Sequence, residues 1–126
     1  MKGGDSVKRL FRKEIRIVPP MPEWNEIVEM LYDKNLVFLD STVEKVIYSN
    51  DKSKRYVVLK SDNGFFTYRL EKIYQFDEEE WSYQCSFDST PAFWQDVDYG
   101  SKSIFPTLED ALKELEQEAE YKFFRS

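Results

Sequence analysis

The sequence contains no histidine, a single cysteine and four glycines, and it lacks any long apolar run. The missing imidazole removes the commonest general acid–base, the usual metal ligand and the group that activates Ser or Cys in nucleophilic triads. The lone thiol, Cys85, can neither close an intramolecular disulfide nor complete a four-ligand zinc site. It points to a reducing compartment. The apolar stretch Ile15 to Val18 is interrupted by Arg16 and followed by Pro19 and Pro20, far short of a signal-peptide core or membrane span. A cytoplasmic protein without membrane attachment is therefore expected. Neither Gly3-Gly4 nor Asp62-Asn63-Gly64 has phosphate-loop spacing, so nucleotide binding has no support.

What is present suits one domain. The 126 residues include three Trp, eight Tyr and ten Phe, enough apolar area for a core without disulfide or metal staples. Charge is uneven: residues 1–18 hold six basic and two acidic side chains, net +4, and the remainder holds 12 basic and 22 acidic, net −10. An acidic body repels phosphates, so direct nucleic-acid binding is not expected. The boundary read from this shift is a basic N-terminal arm over residues 1–20, containing Lys8-Arg9-Leu10-Phe11-Arg12-Lys13, and a single domain over 21–126.

After Pro22, Trp24, Ile27, Val28 and Leu31 recur at helical spacing, which predicts a helix over Glu23–Lys34 with Asn35 as its stop. The pattern then becomes strand-like: Val43–Tyr48, a polar turn over 49–53, Tyr56–Leu59, a turn over 61–64, and Phe65–Phe76. Short turns imply antiparallel neighbours. In the third strand Phe66, Tyr68, Leu70, Tyr74 and Phe76 form one alternate set broken only by Lys72, which predicts a packed face and an opposite face of Thr67, Arg69 and Glu71 nearer solvent. Asp77-Glu78-Glu79-Glu80 reads as a solvated turn, and Trp81–Phe87 as a fourth strand containing Cys85. A short extra strand near Phe93–Val97 is expected within the irregular segment 89–106. Thr107 then caps a last helix whose apolar stripe is Leu108, Ala111, Leu112, Leu115, Ala119 and Phe123, with Tyr121 and Phe124 off that stripe. The predicted fold is α+β: a four- or five-stranded antiparallel meander with the N- and C-terminal helices packed on one face.

Chemical signals are sparse. The Asp77–Glu80 run could offer carboxylate oxygens to a hard cation, but its spacing is not that of an EF-hand, and no metal or cofactor is expected. The back of the last helix is more informative. Asp110, Glu114 and Glu118 form one i, i+4, i+8 row, a like-charge arrangement that costs helix stability and suits either solubility or a basic partner. Phe93, Trp94 and Tyr99 are interleaved with Asp96 and Asp98, and aromatic anchors framed by acids suit a protein interface.

The stretch Ser103-Ile104-Phe105-Pro106-Thr107-Leu108-Glu109-Asp110-Ala111, opening the last helix after an aromatic loop, resembles the strand-to-helix junction of small bacterial α+β proteins, some of which resemble toxin-immunity proteins. The resemblance implies a binding protein and supplies no site residues. Together these readings predict a non-enzymatic, acidic protein-binding domain, of which an immunity-type or phage-derived inhibitor masking a basic surface is one form. The residues assigned to the partner are Phe93, Trp94, Asp96, Asp98, Tyr99, Asp110, Glu114 and Glu118. Two alternatives stay open: a small-molecule or sugar-processing protein using loop carboxylates such as Asp77 and Glu80, and an accessory homodimer pairing through a sheet edge. The expected state is a monomer or homodimer.

Overall fold

A computed structural model describes residues 17–87, 90–97 and 103–124. Helix α1 spans Trp24–Leu31, and the Glu26 carboxylate accepts the Glu23 N–H at its start. Strands β1 (Ser41–Tyr48), β2 (Lys54–Ser61), β3 (Phe66–Gln75) and β4 (Ala92–Asp96) form an antiparallel sheet in the order β1-β2-β3-β4. Helix α2 (Glu78–Gln84) links β3 to β4, and α3 (Leu108–Leu115) is followed by a 3-10 segment over Ala119–Phe124. The α+β class, the antiparallel meander and a short strand near Phe93 are as the sequence predicts.

Three expectations are corrected. The segment Trp81–Phe87 is not a strand, because Asp77 and Glu80 form a reciprocal cap: Glu80 N–H donates to Asp77 at 2.8 Å and Asp77 N–H to Glu80 at 2.9 Å, starting α2 where a solvated turn was expected. Cys85 accordingly ends a helix rather than alternating in a sheet, and its thiol faces the Ser82 carbonyl. The last helix ends at Leu115, before the Glu114/Glu118 and Glu116/Glu120 repulsions and its own negative dipole end would accumulate. The threefold period of the 3-10 segment then brings Tyr121 and Phe124 onto one side, where their rings stack at 6.3 Å. Phe124 is buried against Tyr56, while Ala119 and Phe123, assigned to the stripe, are exposed.

The third correction concerns the helices, which cover opposite faces of the sheet. Strand alternation puts Tyr56, Val58, Phe66, Tyr68 and Leu70 on one face, packed with Ala111, Leu115 and Phe124. Ile73 and its cross-strand neighbour Trp94 project from the other, packed with Ile27 and Leu31 of α1. β2, covered on both sides, is buried at five consecutive residues, Arg55 to Leu59, which explains its unbroken apolar run. The face expected to meet solvent through Arg69 and Glu71 is therefore an interior.

Candidate functional site

The α1 face holds charge where the other face holds rings. The hairpin register sets Arg55 directly opposite Glu71. Both are buried, and Arg55 Nε donates to Glu71 Oε1 at 2.7 Å. The other Glu71 oxygen lies 3.0 Å from Arg69 Nε, an ion contact without hydrogen-bond alignment that leaves this N–H with no acceptor among the described residues. Arg69 reaches Asp96 at 3.4 Å, so two guanidiniums and two carboxylates neutralise one another. The Arg55 guanidinium stacks 4.1 Å above the Trp94 ring. A charge set buried this well must be paired and hydrogen-bonded to be tolerated.

The remaining Arg55 hydrogens define what this network does. Nη1 donates to the Lys34 carbonyl at 2.8 Å and Nη2 to the Asn35 carbonyl at 3.2 Å, fastening the chain between α1 and β1 to the sheet. Tyr48 adds a second tie, donating to the Asp33 carboxylate at 2.9 Å while accepting the Asp33 N–H at 2.8 Å. Burial raises the Tyr48 pKa above its ordinary value, with the Arg55 hydrogen bond opposing the shift. The fastened loop is strained, since Asp33, Asn35 and Asp40 all have φ near +60° (57°, 58° and 62°), a conformation that Asn and Asp tolerate better than other non-glycine residues. At its tip the side chains alternate. Phe38 turns inward beneath the Arg69 guanidinium at 5.1 Å, while Val37 and Leu39 stand 95% and 90% exposed. Asp33, Asp40 and Asp62 are exposed nearby, and the Asp62 N–H donates to the Asp40 carbonyl at 3.2 Å.

Those of the residues assigned to a partner from sequence that are described do not form one patch. Trp94 is buried, with its indole N–H on the Leu31 carbonyl at 2.8 Å, so it is a core residue and not a surface anchor. Asp96 is half-buried against Arg69. Phe93 lies on the opposite face, 41% exposed, beside Tyr74 and Phe76. Asp110 and Glu114 are exposed on α3, and Glu118 accepts the Tyr68 hydroxyl at 3.0 Å. Asp98, Tyr99 and the arm up to residue 16 lie outside the described residues. Among the described residues no group of three or more Cys, Asp or Glu side chains converges as a metal site would require, and no helix is long and apolar enough to cross a membrane.

Sequence reasoning missed the loop tip and its clamp. The signal was available, because the Ser61–Phe65 turn fixes the register that opposes Arg55 to Glu71, and Leu36-Val37-Phe38-Leu39 is an apolar run without strand neighbours. The chain matches no family model, and neither a curated protein nor a solved structure is significantly similar to it.

Proposed function

We propose that this chain is a non-enzymatic, acidic protein-binding domain whose contact point is the α1–β1 loop. The observation that carries the reading is the outward display of Val37 and Leu39 at 95% and 90% exposure on a backbone fastened by a buried arginine. Leaving two such side chains in water forgoes roughly 1.5–3 kcal/mol of burial for each. A rigid loop also lowers the ordering cost that binding would otherwise carry. Flanking Asp33, Asp40 and Asp62 favour a partner with an apolar pocket and a basic rim, which is the chemistry an immunity-type or phage-derived inhibitor needs. The acidic row on α3, Asp110 and Glu114, would steer the encounter. We take the compartment to be cytoplasmic, on the strength of the single free thiol, and the acidic body argues against nucleic acid as the partner.

The test is capture from native lysate by the tagged chain and by the Val37→Ser/Leu39→Ser variant, followed by reconstitution with the purified partner. The reading expects direct binding that the serine variant weakens by about tenfold or more, with circular dichroism and melting midpoint unchanged. Equal affinity for both forms removes the loop from consideration. A concentration-dependent mass in light scattering, lost in the same variant, would reassign the loop to a homodimer contact.

A further inference from the structure

The opposite face of the sheet carries a second surface, independent of the loop. We propose that the cleft lined by Lys54, Leu70, Lys72, Val97 and Glu120, of about 250 Å³, binds a small organic anion whose carboxylate or phosphate meets Lys72 while its apolar part lies on Leu70 and Val97.

Lys54 and Lys72 are direct cross-strand partners. The Ile73 N–H donates to the Ser53 carbonyl at 3.0 Å, so the next pair along, Lys54 and Lys72, is the non-hydrogen-bonded kind. Side chains in such pairs stand closest together, with Cβ atoms about 4.5–5.5 Å apart, and like charges there repel. Lys54 Nζ lies 2.8 Å from the Glu120 carboxylate, whereas Lys72 has neither an ion-pair nor a hydrogen-bond partner among the described residues. The cleft thus carries a surplus positive charge on a body with net −10 beyond residue 18, where unselective attraction for anions is weak.

Lys72 also interrupts an otherwise apolar alternate set, between half-buried Leu70 and Tyr74. The 3-10 segment that seals this face against Tyr56 ends at Phe124 and leaves the lysine open. Gln95, its partner on β4, adds a neutral amide on the same side. The volume lies just below the range of drug-sized pockets, which limits the ligand to one anionic group and roughly one ring. A lysine serves such a group as a point charge free to swing, without the fixed bidentate geometry of arginine.

The probes are phenyl phosphate, benzoate and inorganic phosphate, titrated at low salt into the isotopically labelled full chain and followed by amide chemical shifts. Saturable shifts at Leu70, Lys72, Gln95 and Val97 are expected with one of the two aromatic anions, which separates a phosphate from a carboxylate ligand. Inorganic phosphate should bind more weakly because it leaves Leu70 and Val97 uncovered. Lys72→Gln should weaken the aromatic anion by about tenfold, the worth of one charge-assisted contact, and Lys72→Arg should retain most of the affinity. Dispersed spectra of both variants exclude misfolding. Absence of saturation with both aromatic anions, equal affinity in Lys72→Gln, or identical shifts produced by chloride would overturn the proposal.

Discussion

The two faces of this sheet solve the same burial problem with different chemistry. Toward α3 the interior is built from rings, with Tyr56 against Phe124 at 4.7 Å and Tyr68 stacked on Phe105 at 6.0 Å. Toward α1 the centre of the interior is an ion-pair network in which Arg55 and Glu71 are almost fully sequestered. A ring face gains stability from area and tolerates modest reshaping. A charged interior contributes little net stability compared with apolar residues of the same shape, but it is intolerant of losing one member. What the charged face supplies instead is placement, because Arg55 donates to two main-chain carbonyls that no apolar residue could hold.

The sharpest way to break that contrast is Glu71→Ala. Removing the carboxylate strands Arg55 without its acceptor inside the protein, and the loss should be about 3–5 kcal/mol in urea unfolding. The double variant Arg55→Met/Glu71→Leu removes both charges and should recover a large part of that loss. It should nevertheless free the Lys34 and Asn35 carbonyls, so hydrogen exchange in residues 33–40 should accelerate while global stability returns. A double variant as unstable as Glu71→Ala would show that the network is itself a source of stability.

On the ring face, Leu115→Ala deletes a fully buried side chain and should cost about 2–4 kcal/mol through lost transfer energy and the cavity left behind. Because it acts through packing, it should leave exchange in the 33–40 loop in proportion to global unfolding. Selective opening of that loop in Leu115→Ala would couple the two faces and abolish their division of labour.

This division was half legible in the sequence. The alternate set from Phe66 to Phe76 identified the ring face, and Thr107 marked the start of α3, where it accepts the Asp110 N–H at 3.1 Å. The charged face escaped for a physical reason: periodicity reports polarity, and Arg69 and Glu71 are polar whether water or an opposite charge satisfies them. Only the register supplied by the 61–65 turn distinguishes these cases, by setting Arg55 against Glu71. Trp81–Phe87 was misread because alternation over a few residues competes poorly with a reciprocal cap, and the cap at Asp77 and Glu80 decides that segment. Of the residues first assigned to a partner, Trp94 was misplaced for the same reason as Arg69, since composition cannot reveal which side of an edge strand α1 will cover.

A smaller effect separates the faces by pH. Tyr56 and Tyr68 on the ring face have pKa values raised well above the ordinary tyrosine value, chiefly by burial; the charge of Glu118 adds to both, and the Tyr68 hydrogen bond to Glu118 adds further. A group whose folded pKa is raised contributes its stability below the unfolded value, near 10 for tyrosine, and loses it as pH rises further. The native protein should therefore lose stability above about pH 10 in a manner that Tyr68→Phe weakens. That substitution also releases the Glu118 carboxylate, so a cost of about 1 kcal/mol at neutral pH is expected. Tyr56→Phe should differ in sign at neutral pH. The Tyr56 hydroxyl is buried with no hydrogen-bond partner among the described residues, and replacing it with hydrogen removes an unmet polar group at almost constant shape, so stability should rise by up to about 1 kcal/mol. Destabilisation by Tyr56→Phe would mean that this hydroxyl is satisfied in solution, a second polar tie on the ring face beside the one Tyr68 makes with Glu118.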